Sequence, residues 1–238
     1  MSVVLRDLAG MDDFRLAENL QRVVWGEGDQ PDPADLMMVI AAEGGLAAGA
    51  FRGDELLGYV FAFPTATPGV QHSHRLATHP QARGLGLGAA LKWYQRDWCL
   101  NRGINLVRWT YDPLRHANAS LNIAKLGAVA RIYYPDYYGA MPGINQGAPS
   151  DRLLAEWVLD APGVIDRAAG GRPAPPKPAL QLEIPTDFGI LLATDPEKAL
   201  ATRLATRAWL QASFAQGHMV TGYDPTSRTY HLSNAGLL

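Results

Sequence analysis

Several things are scarce in this chain of 238 residues. There is one cysteine, Cys99, so an intrachain disulfide and any multi-cysteine metal site are excluded. Neither sign of charge dominates: 21 Lys and Arg stand against 23 Asp and Glu, a net charge of −2. No global basic field therefore invites nucleic acid or an anionic membrane. No apolar run reaches the ~18 residues that a membrane helix requires. The opening residues, MSVVLRDLAGMDDF, lack the charged-then-apolar plan of a secretion signal, so a cytoplasmic setting is expected. The Gly-x-Ser-x-Gly elbow of serine hydrolases is missing. His72, His74 and His79 have no second cluster at ligand spacing, so no metal is expected.

What is present centres on His72 to Gly88, HSHRLATHPQARGLGLG. Alternation through His72, His74, Leu76 and Thr78 predicts a strand, and Pro80 ends it because proline has no ladder donor. Arg83-Gly84-Leu85-Gly86-Leu87-Gly88 follows, with three glycines at spacing two. Leu87, Leu91, Tyr94 and Trp98 then repeat at helical spacing. A strand, a glycine turn and a helix N-terminus together present backbone N–H groups and about half a positive charge to an anion, a pyrophosphate in particular. Gly84-x-Gly86-x-x-Ala89 with Asp112 downstream also fits a dinucleotide fingerprint loosely, but a first Rossmann strand is an apolar run and His72–Thr78 is polar.

Arg83-x-x-Gly86-x-Gly88 resembles the acyl-CoA signature of the GNAT acyltransferase superfamily, Arg/Gln-x-x-Gly-x-Gly/Ala. The strand His72–His79 is similar to that of the serotonin (arylalkylamine) N-acetyltransferase branch, with two alternate histidines and the same spacing to the glycines. This resemblance covers about the first two-thirds of the chain. It implies a mixed α/β fold (an α+β mixed sheet) of the GNAT acyl-CoA N-acyltransferase type, in which the glycine strand splays from its neighbour. Acetyl-CoA or another acyl-CoA is the implied cosubstrate, held by Leu76, Ala77, Thr78, Arg83, Gly84, Leu85, Gly86, Leu87 and Gly88. Asn118 joins them because the family places an asparagine near this point, shortly before a Lys-Leu-Gly ending matched by Lys125-Leu126-Gly127. The tyrosine that many members use to protonate the leaving thiolate is replaced here by Ile123.

The rest of the chain reads in the same order as that plan. Ser2–Leu8 is expected as an edge strand, followed by a helix opened by Asp12 and Asp13 and running to Trp25, then a short helix Ala34–Ala42. Leu46–Arg52 and Leu56–Phe63 form a hairpin around Gly53-Asp54. Asn105–Thr110 is a buried strand, Asn118–Leu126 a helix, and Ala130–Tyr134 and Leu153–Leu159 the last core strands. Pro135–Arg152, rich in Tyr, Gly and Pro, is expected to lie over the acceptor pocket. The domain reading is 1–160 for the catalytic core, 161–179 for a Pro/Ala-rich linker, extended over Arg172–Pro178, and 180–238 for a small β-α-β-β extension packed on the core. In the extension, Thr194-Asp195-Pro196-Glu197 reads as a capping box.

Acyl transfer to an amine requires a base, an oxyanion donor and a proton for the thiolate. His72 and His74 share a face if the strand keeps period two, and either imidazole can take the amine's proton near neutral pH. A backbone amide among Leu76–Thr78 is the expected oxyanion donor. Tyr111, Tyr133, Tyr134, Tyr137 and Tyr138 are candidate acids. Arg75, Arg108, Arg115 and Arg152 are candidates to grip a carboxylate. Stretches including Trp109–Leu114 and Pro149–Leu153 are similar to a bacterial group of GNAT acyltransferases, which implies an amino-acid acceptor and admits succinyl-CoA as donor. The expected partners are thus an acyl-CoA and a small amine, with a homodimer left open. A GNAT-shaped protein that binds acyl-CoA without transfer is the alternative.

Overall fold

The structure is a computed structural model that describes residues 2–26, 28–139, 147–173 and 177–234. It forms two compact units, residues 1–108 and 109–238, of the mixed α/β class expected.

The first unit contains β1 (Val4–Asp7), α1 (Gly10–Trp25), α2 (Ala34–Ala42), β2 (Leu46–Arg52), β3 (Glu55–Pro64), β4 (Val70–Thr78), α3 (Leu87–Leu100) and the start of β5 (Leu106–Tyr111). The strands lie in the order β1–β2–β3–β4–β5. β1 to β4 are antiparallel, and β4 meets β5 in parallel. Both faces are covered. Phe14 and Leu20 of α1 and Met37 of α2 pack with Tyr59, Phe61 and Ala77; Leu87 and Leu91 of α3 pack with Ala48, Ala50, Leu57 and Val60. That double burial explains why β2 and β3 read as nearly unbroken apolar runs. α1 starts earlier than its acids suggested: Ala9 is the N-cap, and Asp13 reaches back to accept from the Ala9 N–H at 2.8 Å.

Beneath β4 lies a buried polar chain. Lys92 Nζ donates to Ser73 Oγ at 3.1 Å and Gln95 Oε1 at 2.7 Å. Gln95 Nε2 and Cys99 Sγ donate to Gln71 Oε1, at 2.7 and 3.2 Å. Gln71 and Ser73 flank His72 in sequence, so α3 grips the strand on either side of it.

The second unit holds the rest of β5, α4 (His116–Ala119), β6 (Val129–Tyr134), β7 (Arg152–Val158), α5 (Pro162–Ala168), β8 (Leu180–Glu183), α6 (Phe188–Thr194), α7 (Pro196–Ala215), β9 (His218–Asp224) and β10 (Thr229–Asn234). Its strand order is β7–β6–β9–β10–β8, with Ala130 of β6 paired to Val220 of β9. The helix expected over Asn118–Leu126 starts at His116 and widens into a π turn over Ser120–Lys125, where the Leu126 N–H donates to the Leu121 carbonyl. Gly127 ends it with φ +77°.

Three readings of the tail change. The front of the Pro/Ala-rich stretch, expected as linker, is helical: Pro162 starts α5, Val164 is buried, and Arg167 Nε donates to the Ala124 carbonyl at 3.2 Å. Part of Arg172–Pro178 lies outside the described residues. The extension contains an additional helix, α6, whose cap is Asp187, accepting from the amides of Gly189 and Ile190. Finally, α7 is capped by Asp195, which accepts from the Lys198 N–H. Thr194 belongs to α6 and donates to the Ile190 carbonyl instead.

Burial pushes the Lys92 ammonium down to about 7. Between that value and the ordinary lysine value of about 10.4, the unfolded chain holds a proton that the folded chain has released, so folding gains stability as pH rises. Relative to Lys92→Met, the wild type should gain stability by up to about 1.4 kcal/mol per pH unit from pH ~7 to ~10. Denaturant titrations of both proteins across this range check it; a pH-independent difference would contradict the burial of an ionisable Lys92.

Candidate functional site

The sequence asks β4 to keep strict alternation, and the structure shows that it does not. In the β3–β4 ladder Phe61 pairs with Arg75 and Ala62 with Ser73, so His74 is an extra residue at a bulge. A bulge reverses the parity of the side chains beyond it. Before it, Ser73 faces α3 through Lys92 and Gln95. After it, Leu76 packs with the α3 cluster, and Ala77 with the α1 and α2 cluster. Leu76 and Thr78 therefore do not continue the His72 face, as period two had implied. His72 and His74 do stay together, with ring centroids 6.3 Å apart. Phe63 stacks on His72 at 4.9 Å and lies 5.6 Å from His74.

The second break is on the other edge. The parallel ladder to β5 runs Val70↔Leu106, Gln71↔Val107, His72↔Arg108 and stops there. The His79 N–H donates to the Leu57 carbonyl of β3 at 2.7 Å. Amides along an antiparallel strand alternate in direction, so those of Thr78 and Leu76 are turned to the edge away from β3 and that of Ala77 toward β3.

The turn comes next. His79 Nδ1 accepts from the Gln81 N–H at 3.2 Å and closes a short 3₁₀ turn, Pro80–Ala82. Gly84 and Gly86 take φ +85° and +73°, a region that costs an L-residue about 1–2 kcal/mol. A Cβ at either would meet nothing within 4 Å, so the glycines serve the backbone conformation and the space beside them is open. Gly86 is the N-cap of α3, with no side-chain bond to it. Of the amides from 83 to 88, Arg83 and Leu85 make 3.3 Å turn bonds, while Gly84, Gly86, Leu87 and Gly88 have no backbone acceptor among the described residues. Arg83 and Leu85 are exposed and Leu87 is buried in the core. Four unpaired N–H groups at a helix start can hold a diphosphate.

The two histidines differ. His72 is half-buried, and burial, then the charges of His74, Arg108 and Lys92, lower its pKa to about 4. It is neutral at pH 7, but its conjugate acid is too strong for efficient base catalysis there. His74 is exposed, and its Nε2 lies 3.3 Å from Asp32 Oδ1. Burial alone would raise the Asp32 carboxyl, but His74 and Arg75 outweigh it and hold it below the usual range. Arg75 donates to Asp32 at 3.1 Å and Asp29 at 2.6 Å, so it is engaged as a clamp on the loop between α1 and α2. Sequence reading missed both aspartates; Pro31-Asp32-Pro33 was legible only as a helix opening.

The remaining candidates lie in the second unit. Asn118 is half-buried, three residues beyond the cap of α4. Ile123 is fully buried. Tyr133 donates to Asp151, and burial together with that bond raises its pKa far above the usual tyrosine value, so it is a poor proton donor. Tyr111 is likewise buried and raised. Tyr137 and Tyr138 are exposed. Asp112 is bound by both terminal nitrogens of Arg203 at 2.7 Å, which removes it as a ribose ligand and with it the dinucleotide reading. Residues 140–146 of the loop expected over the acceptor lie outside the described residues. Among the described residues, no cluster of His, Cys, Asp and Glu could hold a metal, and no helix is long and apolar enough to cross a membrane.

Residues 12–127 match the acetyltransferase (GNAT) family. No curated protein matches the chain. Among solved structures, the ribosomal-protein-S18-alanine N-acetyltransferase of Escherichia coli is similar at 15% identity and TM-score 0.55, covering 66% of this chain and 94% of its own. A GNAT-superfamily phosphinothricin acetyltransferase from Sinorhizobium meliloti, in complex with AcCoA, is similar at 20% identity and TM-score 0.52, covering 66% and 88%. A protein described as a GNAT-family acetyltransferase from Desulfovibrio desulfuricans covers 66% and 99%, at 20% identity and TM-score 0.53.

His72 should titrate near pH 4 when followed by NMR, and Lys92→Met should raise its midpoint by removing a neighbouring positive charge. A midpoint above about 6, the ordinary histidine range, would show that the imidazole is not desolvated.

Proposed function

Residues 12–127 of this chain match the acetyltransferase (GNAT) family, and on that premise we propose that it is an acyl-CoA-dependent N-acyltransferase acting on the primary amine of a small molecule. The observation that carries the reading is the row of unpaired amides at Gly84, Gly86, Leu87 and Gly88 at the start of α3. These groups hold the diphosphate of acetyl-CoA or another acyl-CoA, and the exposed Arg83 adds a positive charge at the turn. The thioester then lies along the edge of β4 beyond His72, where the Leu76 and Thr78 amides are available to the carbonyl oxygen.

In this reading His74 is the base and Asp32 orients its ring. The amine attacks the thioester carbonyl; the C–N bond forms, the C–S bond breaks, and the amine's proton passes to His74 directly or through water. The Leu76 and Thr78 amides stabilise the oxyanion. The thiolate leaves with solvent as its proton source, since Ile123 offers none. His72, neutral and stacked on Phe63, shapes the pocket wall beside His74. An amino acid is the acceptor suggested by the resemblance to the bacterial group.

A second reading, binding without transfer, is favoured by one observation, the buried apolar Ile123 in place of an acid. Release of free thiol from acetyl-CoA or succinyl-CoA over a panel of amines and amino acids separates the two: release above the uncatalysed rate supports transfer, and none with any acceptor supports the binder.

Two substitutions test the parts. Gly86→Glu places a carboxylate at the diphosphate and strains a positive φ; CoA affinity by calorimetry should fall by about 100-fold or more, and an unchanged Kd would refute the cradle. His74→Ala should lower kcat by about 10²–10³-fold, with His72→Ala costing much less. The reverse pattern would move the base to His72.

A further inference from the structure

His74 and Arg75 are consecutive, and on a regular strand consecutive side chains face opposite sides. The bulge at His74 cancels that alternation. Arg75 pairs with Phe61 in the ladder, the His74 ring lies edge-on to Phe61 at 6.0 Å, and both side chains reach Asp32. Ser73 before them and Leu76 after them turn to α3 instead. The slip thus has a second product besides an exposed imidazole. It brings a guanidinium to the same carboxylate from the next residue along the chain.

Asp32 divides its oxygens between the two. Oδ1 lies 3.3 Å from His74 Nε2, and Oδ2 accepts from Arg75 Nε at 3.1 Å. A carboxylate tethered at one oxygen has its plane restrained, so the other oxygen is aimed. Arg75 is tethered in turn at its remaining nitrogens. Nη1 donates to Asp29 Oδ2 at 2.6 Å and Nη2 to the Gln30 carbonyl at 3.0 Å, and the guanidinium carbon sits 4.7 Å from the centre of the Trp25 ring at the end of α1. The Arg75 and Asp32 side chains are each 18% exposed, so water and salt screen these bonds less than those of a surface pair. Burial disfavours the Asp32 carboxylate, but the bonds and charges of His74 and Arg75 outweigh it and hold the carboxyl below its usual range. As an ion at neutral pH, Asp32 can only accept.

We propose that Arg75 is a positioning residue for transfer: acting through Asp32, it fixes His74 with its hydrogen on Nε2 and makes Nδ1 the atom that takes the proton from the amine. An acceptor-only oxygen beside Nε2 requires a hydrogen there, and Nδ1, which has no partner among the described residues, keeps the lone pair. As the C–N bond forms, the N–H bond of the amine breaks, its proton joins Nδ1, and the ring stays anchored to Asp32 through Nε2. The proton step rests on the transfer reading above; the tautomer rests on the geometry of β4 and the loop between α1 and α2.

Long-range proton–nitrogen NMR of the full chain at about pH 9, above the ordinary imidazole range, reads the tautomer without turnover. His74 should hold the Nε2–H form in the wild type. Both forms should appear in Arg75→Gln and in Asp32→Ala, with His72 unchanged, and Arg75→Lys, which keeps the charge but loses the fork, should show the same mixing. In the thiol-release assay, Arg75→Gln should lower kcat about tenfold while KM for the acyl-CoA moves by less than about twofold. In the Asp32→Ala background the same substitution should cost less than about twofold, because a residue acting through Asp32 has nothing left to position. A merely structural hold on Asp29 and Gln30 would keep its full cost there. An Nδ1–H tautomer in the wild type, an unchanged tautomer in both Arg75 variants, or additive costs in the double variant would overturn the proposal. Thiol release with no acceptor at all would refute the transfer reading and leave the tautomer measurement to decide whether Arg75 positions His74.

Discussion

At His74 the β3–β4 ladder slips by one residue, and at His72 the β4–β5 ladder ends. The two breaks are neighbours, and the candidate site follows from them. A strand paired on both edges has no amide to offer a ligand. By ending its pairing on one side, β4 leaves Leu76 and Thr78 with amides that need an acceptor from elsewhere. By bulging on the other, it turns Leu76 into the α3 cluster while leaving His74 exposed beside Asp32. The glycine turn continues the same logic: Gly84 and Gly86 adopt positive φ, and the first-turn amides of α3 have no acceptor upstream. Among the described residues, N–H groups without a backbone acceptor thus run from mid-strand to helix start, which is the array that the proposed elongated ligand, a carbonyl at one end and a diphosphate farther along, requires.

The same geometry separates two imidazoles that composition alone makes equal. His72 is enclosed by Phe63 and surrounded by positive groups, so desolvation and repulsion both act against its protonation. His74, the bulged residue, reaches water and a carboxylate. An imidazole held by a carboxylate keeps a defined ring orientation. The division of labour proposed here is therefore a consequence of the bulge: a regular strand would have exposed or enclosed both rings together.

What the sequence shows and hides divides along the same line. The strand–turn–helix was legible because Pro80, Gly84 and Gly86 act on their own backbone, and the α1 and α3 stripes because the buried faces repeat at helical spacing. The β2–β3 hairpin was legible for the same reason, through Gly53. The bulge was not, because a polar strand carries no apolar alternation whose failure would mark the slip. Asp32 was not, because it meets His74 across 42 residues. α6 had a local signal, Asp187 before Phe188-Gly-Ile-Leu-Leu, but the run is one helical turn shorter than periodicity resolves against the longer α7. Lys92 and Gln95 left a trace as polar residues at i and i+3 on an otherwise buried face, which reads as surface until the strand above it is known to carry Gln71 and Ser73.

That buried chain connects the two faces of β4. Gln71 and Ser73 accept from α3 on one face, and His72 between them faces the other. Lys92 donates to the neutral oxygens of Ser73 and Gln95, and burial makes its proton weakly bound. The lysine's field reaches His72 through the thickness of one strand and is among the causes of its lowered pKa. An apolar residue at position 92 would sit beneath β4 without the desolvation cost, but it would remove one of the bonds from α3 to Ser73 and a positive charge behind the imidazole. The lysine therefore acts on β4 twice, by fixing the strand just before its bulge and by disfavouring a second proton on the half-buried His72 ring.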